Sequence, residues 1–173
     1  MRVTGPIILT ALIPAPAALA SLVAPTPLIL INTSPSEPMG VYRRIDATVR
    51  PGVLIAFRPP PAARAFLNHT GAGPAPRSVL KTVVAGPGAL ACVADGRLLV
   101  DGRRLGAVAR TDRSGRDLPH WSGCRRLAAG EQLVFSDRIP NSFDSRYYGP
   151  IRRGDIIGVY APVWTSASRA PGR

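Results

Sequence analysis

Lysine occurs once in this chain, at position 81, although the chain carries 22 basic residues. The other 21 are arginines, whose guanidinium groups have a pKa too high to accept a proton at ordinary pH. Lys81 lies in the apolar stretch 79–84 (VLKTVV), where burial would lower the pKa of its ammonium group. A neutral amine in that position could act as a general base for a serine nucleophile. The alternative interpretation is a lysine at a strand edge whose ammonium group reaches water.

The other reactive side chains support no second mechanism. A Ser-His-Asp triad needs an imidazole beside the serine, but His69 lies in a Pro/Gly-rich region and His120 in an irregular polar stretch. Cys92 and Cys124 have no further ligands at a metal-binding spacing, so we expect no metal and no other cofactor. A disulfide formed in an oxidising compartment is the simpler interpretation of the two cysteines, and two buried free thiols are the alternative.

Three segments around Lys81 resemble, in their order, the sequence boxes of the signal-peptidase family of serine peptidases (S26). Residues 34–42 (SPSEPMGVY) are similar to the nucleophile box, and most similar to that of the TraF-like conjugative-transfer subgroup. Residues 81–88 (KTVVAGPG) resemble the lysine box, and residues 141–149 (NSFDSRYYG) resemble the carboxy-terminal box. Residues 119–124 (PHWSGC) resemble the stretch that precedes the last box in that subgroup. The resemblance implies a signal-peptidase-like domain.

The resemblance also implies roles for individual side chains. Ser36 matches the nucleophile, and Lys81 matches the base that takes its proton and later activates water. Ser34 matches the hydroxyl residue that helps the Ser36 backbone N–H to form the oxyanion hole, where negative charge develops during acyl transfer. Ser142 matches the hydroxyl residue that orients the lysine amine. Four side chains are therefore expected to converge on one site.

The last box carries two further matches, and the lysine box carries two departures. Asp144 and Arg146 match a structural ion pair that holds the last box near the site. Ala89 stands where an acidic residue often follows the Pro-Gly turn, and Thr82 stands where Arg often follows the lysine. We interpret both departures as changes at supporting positions.

The amino-terminal part of the chain has the character of a membrane segment. No charged residue occurs from Val3 to Ile31, a length that could cross a hydrocarbon core of about 30 Å. We predict that residues 1–31 form an anchor and that, with Arg2 on the cytoplasmic side, residues 32–173 form a catalytic domain on the periplasmic side of a bacterial inner membrane. The alternative is a cleavable signal segment that leaves a soluble periplasmic domain, and it is suggested by the small-residue site at 18–20 and by Pro14, Pro16, Pro25 and Pro27.

The exported part has the pattern of a mostly β domain, with a folded-over or barrel-like sheet. Asp95-Gly96 and Asp101-Gly102 predict tight turns. Residues 58–76, with five prolines, predict a surface loop, and no long helix is expected after the amino-terminal segment. The candidate strands are residues 39–44, 53–57, 78–85, 92–94, 98–100, 131–136 and 155–160.

Charge and resemblance together bound the function. The net charge of +12 could attract nucleic acid or anionic lipid, but no nucleic-acid-binding motif accompanies it, so we expect no nucleic-acid partner. The resemblance implies a membrane-associated serine endopeptidase in contact with lipid. Its substrate would be an exported preprotein, and in the TraF-like subgroup a pilin precursor. A general leader peptidase and a non-enzymatic basic scaffold of a transfer apparatus are the alternatives.

Overall fold

The computed structural model describes residues 26–69 and 76–166. Most of the predicted membrane segment, residues 1–25, therefore lies outside the described residues. Its described end belongs to a sheet, since strand β1 (Ile29–Asn32) pairs antiparallel with β2 (Gly40–Ile45). Residues 29–31, which the sequence assigned to the membrane segment, are thus part of the folded domain. None of the helices in the described ranges has the length and apolar character needed to cross a membrane.

The described residues form two antiparallel sheets. The larger sheet curls into a half-barrel with the order β1-β2-β11-β3-β4-β9-β10, and the smaller has the order β7-β6-β5-β8. The remaining strands are β3 (Leu54–Phe57), β4 (Val79–Ala85), β5 (Leu90–Ala94), β6 (Arg97–Val100), β7 (Arg103–Ala107), β8 (Gly123–Arg126), β9 (Glu131–Val134), β10 (Ile151–Arg152) and β11 (Ile156–Thr165).

The mostly β class predicted from the sequence is confirmed, and seven strands coincide with predicted ones. The two Asp-Gly turns are also present, with positive φ at Asp95 and Asp101. Strands β1, β7, β8 and β10 were not predicted, and β1 lies where the sequence indicated the end of the membrane segment. The β8 sequence is exposed throughout and β7 is exposed at three of five positions, so neither has the alternation of polar and apolar residues that marks a strand in sequence.

A short helix replaces part of the predicted loop at residues 58–76. Helix α1 (Pro61–His69) starts with a proline, which the first turn of a helix tolerates because that N–H has no partner within the helix. Ala63 is buried, and Phe66 and Leu67 are half-buried at the i+3 and i+4 positions that share its face. The proline count concealed this amphipathic spacing. A second helix, α2 (Ser145–Tyr148), is a single turn, and Arg153–Asp155 form a 3-10 turn.

The hydrophobic core places β4 in the interior of the larger sheet. Strand β4 pairs with β3 on one side and with β9 on the other. Ile55, Phe57 and Val134 on those neighbours are completely buried. A side chain on the inner part of β4 therefore has a fixed direction and little access to water, which is the environment that Lys81 occupies.

Candidate active site

Ser36 lies in the loop of residues 33–39, which joins β1 to β2. The side chain of Asn32, the last residue of β1, organises this loop through its amide nitrogen. That nitrogen lies 2.9 Å from the carbonyl oxygen of Ser34, 3.1 Å from that of Glu37 and 3.0 Å from that of Pro38. The Asn32 amide therefore gathers three carbonyl groups around the turn that presents Ser36.

The glycine and tyrosine of the first box shape the same loop. The Tyr42 side chain is buried, and its hydroxyl donates a hydrogen bond to the carbonyl oxygen of Pro38. Gly40 has a φ of +155°, and a Cβ atom there would lie 2.1 Å from the carbonyl oxygen of Trp164 on β11. Any other residue at position 40 would force β2 and β11 apart. Gly40 and Tyr42 thus hold the Ser36 loop against the sheet.

The structure brings Ser36 and Lys81 into direct contact across 45 residues of sequence. The Nζ atom of Lys81 donates a hydrogen bond to the Oγ atom of Ser36. Both residues are only 3% exposed. Since Lys81 lies opposite Ile55 in the β3–β4 ladder, its backbone is fixed by an interior strand. The two side chains that the resemblance matches to a nucleophile and its base are therefore in hydrogen-bond contact, and their catalytic roles remain a prediction.

Burial is the main influence on the Lys81 amine. Loss of solvation lowers the pKa of Lys81, and the positive charge of Arg146 lowers it further. The carboxylates of Asp144 and Glu37 oppose this by favouring the ammonium form. Desolvation is the largest of these effects, so the direction agrees with the prediction made from the apolar sequence around Lys81. A lowered pKa increases the fraction of neutral amine, the form that can accept a proton.

Ser34 is exposed at the mouth of the site. Its Oγ atom lies 3.0 Å from Ser36 Oγ and accepts a long hydrogen bond of 3.5 Å from the Ser36 N–H. The hydroxyl group and the backbone N–H therefore lie on the same side of the nucleophile. This is the side on which both could meet a substrate carbonyl oxygen. The oxyanion role of Ser34 remains a prediction.

Ser142 lies beside the dyad without bonding to it. The residue is almost fully buried, and its Oγ atom has no hydrogen-bond partner in the described part of the chain. It lines a cavity of about 550 Å³ together with Ser36 and Lys81. Its carbonyl oxygen accepts a hydrogen bond of 2.8 Å from Arg146 Nη2. Ser142 thus lines the same cavity as Lys81 and has a hydroxyl without a partner among the described residues, and its role in orienting Lys81 remains a prediction.

Asp144 and Arg146 form the buried ion pair that the resemblance implied. Arg146 Nε lies 2.8 Å from Asp144 Oδ1, and Nη2 lies 2.9 Å from Oδ2. The Asp144 side chain is 0% exposed and that of Arg146 is 4% exposed. Asp144 also caps α2 by accepting the Arg146 N–H. The guanidinium group further donates to the carbonyl oxygens of Ala107, Pro140, Ser136 and Ser142.

The histidines and cysteines lie outside this constellation. His69 ends α1, with Nδ1 2.6 Å from the carbonyl oxygen of Ala65, and His120 is exposed. Cys92 and Cys124 form a disulfide between directly opposed positions of β5 and β8. Across residues 26–69 and 76–166, no cluster of side chains could hold a metal ion.

Sequence reasoning missed three polar residues that surround the dyad. Asn32 organises the loop, and the Ser136 hydroxyl donates to the backbone carbonyl of Ser36. Glu37 is buried, and its carboxylate accepts hydrogen bonds from Thr82. For Glu37, the sequence offered one indication that it belongs to the site, which is its position directly after Ser36 in the first box.

Comparisons with known proteins agree with this geometry. The family model described as "Signal peptidase, peptidase S26" matches residues 1–165. A plasmid transfer protein TraF from Escherichia coli is 34% identical over 145 residues, which cover 78% of this chain and 82% of the relative. A conjugal transfer protein TraF from Agrobacterium fabrum is 32% identical over 146 residues, covering 78% of this chain and 81% of the relative. Signal peptidase I V from Bacillus subtilis is 30% identical over 100 residues, covering 50% of this chain and 58% of the relative.

The family match spans the described domain, including all three boxes. It supports a signal-peptidase-like serine peptidase that acts on a protein substrate. The chain belongs to the signal peptidase family, peptidase S26.

Proposed function

We propose that this protein is a membrane-associated serine endopeptidase in which Ser36 and Lys81 form the catalytic dyad. The observation that carries the proposal is the buried hydrogen bond between Lys81 Nζ and Ser36 Oγ. Burial lowers the pKa of Lys81, which favours the neutral amine that the proposal requires. The arginines elsewhere in the chain could not replace it, because a guanidinium group stays protonated.

The proposed reaction proceeds through an acyl-enzyme. Ser36 Oγ attacks the carbonyl carbon of the scissile peptide bond while the Lys81 amine takes the hydroxyl proton. The tetrahedral intermediate collapses, the peptide C–N bond breaks, and the leaving amine receives that proton from Lys81. Lys81 then takes a proton from water, whose oxygen attacks the Ser36 ester. Collapse of the second intermediate returns the proton to Ser36 Oγ and releases the carboxylic acid product.

Two features of the site serve these steps in the proposed mechanism. The Ser36 N–H and the Ser34 hydroxyl would stabilise the negative oxygen of each tetrahedral intermediate. The unpartnered Ser142 hydroxyl would bond to the Lys81 amine and aim its lone pair at Ser36 or water. All four residues line the same cavity, which is consistent with these roles.

The proposed substrate is an exported precursor protein, and specifically a pilin precursor in conjugative transfer. The cavity beside Ser36 also has apolar walls, which suit an extended peptide with small apolar side chains. The names of the two TraF relatives refer to plasmid and conjugal transfer, which supports the narrower substrate. The apolar lining residues are Ile31, Leu67, Val79, Leu80, Ile139 and Phe143.

We further propose that the domain lies against the periplasmic face of a bacterial inner membrane, retained there by the segment that precedes β1. Six exposed apolar residues lie on or beside β1 and at the end of β11. These elements flank β2 on either side, and Ile31 also lines the Ser36 cavity. Exposed apolar side chains on neighbouring strands suit contact with lipid. The six are Leu28, Ile29, Ile31, Met39, Val163 and Trp164.

Precursor cleavage by the wild type, Ser36→Ala and Lys81→Arg tests the dyad. Lys81→Arg keeps the positive charge but removes the only lysine amine of the chain, which is the proposed neutral base. We expect kcat/KM to fall by at least about 10²–10⁴-fold, toward the level of Ser36→Ala. Substantial cleavage by Lys81→Arg would contradict the mechanism. Unimpaired conjugative function in both variants would instead favour a non-enzymatic scaffold.

A general leader peptidase is the second candidate, favoured by the similarity to Signal peptidase I V of Bacillus subtilis. Purified protein is incubated with a pilin precursor and with several unrelated secretory preproteins. Selective cleavage of the pilin precursor is expected. Equal cleavage of all substrates would favour the general peptidase.

A further inference from the structure

Glu37 enters the site next to the nucleophile, where the sequence boxes assign no function. Its Oε1 atom accepts a hydrogen bond of 2.9 Å from the Thr82 N–H and one of 3.2 Å from the Thr82 hydroxyl. Ser36 and Lys81 form the contact immediately before it. Two consecutive residues of the loop are thus bonded to two consecutive residues of β4.

We propose that Glu37 is a positioning residue for the dyad: its carboxylate fixes the Ser36 loop to β4, and its negative charge acts on the Lys81 amine. This inference rests on the proposed function of Ser36 and Lys81 and deepens it. The position that seemed a departure from the family pattern, Thr82, becomes the anchor for this carboxylate.

The burial of Glu37 argues that its position is specific. The residue is only 5% exposed, although a carboxylate loses considerable solvation energy when it leaves water. An acidic residue in a surface loop would ordinarily turn toward solvent. Here the two Thr82 donors replace part of the lost hydration, and one of them is a backbone N–H of an interior strand. The loop cannot move away from β4 without exposing those groups.

Burial and neighbouring charges act on the pKa values of Glu37 and Lys81 in opposite directions. Burial raises the pKa of Glu37, while the Thr82 hydrogen bonds, Lys81 and Arg138 lower it. The Glu37 charge in turn raises the pKa of Tyr42 and opposes the desolvation of Lys81.

The other charged groups that act on Lys81 come from the last box. Asp144 raises the pKa of Lys81 and Arg146 lowers it. Arg103, Arg104, Asp137 and Arg138 line a cavity together with Glu37. A neutral residue at position 37 would leave the charges of these groups unchanged. Removing only the Glu37 charge should therefore lower the pKa of Lys81.

The single lysine allows a direct measurement. The full-length protein is labelled with ¹³Cε-lysine, so that one NMR resonance reports the titration of Lys81. Glu37→Gln keeps an oxygen acceptor for the Thr82 N–H and removes the charge. We expect its Lys81 midpoint to move to lower pH. Glu131→Gln is the matched control, because Glu131 is the only other glutamate and pairs with Arg125 near the surface.

The NMR titration decides the electrostatic part of the inference without requiring catalysis. Superimposable titrations of Glu37→Gln and wild type would overturn it, as would an equal shift in Glu131→Gln. Failure of the wild type to cleave any precursor would count against the proposed function and would leave this result standing.

Cleavage kinetics test the positioning part. In Glu37→Gln, the rise of kcat/KM on the acidic side of the pH profile should move to lower pH. A purely structural effect would lower activity without moving this rise. Glu37→Ala should in addition lose activity on the plateau, because it removes the acceptor for Thr82. Plateau activity of Glu37→Ala equal to that of the wild type would overturn the positioning role.

Discussion

Replacing Asp144 by asparagine should destabilise the protein severely, because the carboxylate is shared by four donors. Oδ1 accepts from Arg146 Nε and the Arg146 N–H, at 2.8 and 3.2 Å. Oδ2 accepts from Arg146 Nη2 and the Ser136 N–H, at 2.9 and 3.2 Å. Whichever way the asparagine amide is turned, its NH₂ group faces two donors. The substitution therefore leaves a buried guanidinium without its counter-charge.

The size of the effect follows from burial. With the two side chains 0% and 4% exposed, loss of one partner should cost about 3–5 kcal/mol. For a typical dependence of about 2 kcal/mol per molar urea, the unfolding midpoint should fall by roughly 2 M. Urea unfolding followed by circular dichroism and tryptophan fluorescence measures this shift.

The chain offers a matched control for this experiment. The Arg125–Glu131 pair has the same kind of contact, at 2.8 Å, but its side chains are 44% and 16% exposed. Glu131→Gln should therefore cost at most about 1 kcal/mol. The reasoning is refuted if Asp144→Asn costs no more than Glu131→Gln. Should Asp144→Asn not fold, the double variant Asp144→Asn/Arg146→Met should recover folded protein, because it removes the unpaired charge as well.

Two further predictions follow from the site and from the smaller sheet. In the wild type, kcat/KM should rise with pH as Lys81 loses its proton. The midpoint of this rise should lie below the pKa of an ordinary lysine, about 10.4, because burial lowers the pKa of Lys81. A midpoint at the ordinary value would contradict a buried base. Removing the Cys92–Cys124 disulfide, whose cysteines are 32 residues apart, should lower the free energy of unfolding by roughly 3–4 kcal/mol. Urea unfolding of Cys92→Ala/Cys124→Ala measures that loss, and an unchanged midpoint would show that the bond does not constrain the unfolded chain.

Local sequence was sufficient to predict the strands in which polar and apolar residues alternate, or which turn residues bound. Asp95-Gly96 predicts its hairpin because both residues tolerate the positive φ of a tight turn. It was insufficient for α1, where prolines concealed the spacing of Ala63, Phe66 and Leu67. It was also insufficient for β1, since an apolar strand that follows an apolar segment has no boundary in composition.

The sequence alone indicated which side chain could be the proposed base. One lysine among 21 arginines, placed in an apolar strand sequence, is a group whose charge burial will disfavour. Its partner Ser36 was identified through the resemblance of residues 34–42, and not through spacing, since two intervening strands, β11 and β3, separate the Ser36 hairpin from β4 in the sheet.

Folding in three dimensions determined which polar groups surround that base. Whether Glu37 faces water or the interior depends on the turn of its loop and on the approach of β4 from 45 residues away. Likewise, Ser136 and Asn32 act through backbone carbonyls, which carry no mark in the sequence. The residue type thus specifies which chemistry a side chain can perform. Its burial and its hydrogen-bond partners arise from strand pairing between distant segments, and burial and partners together influence its charge state.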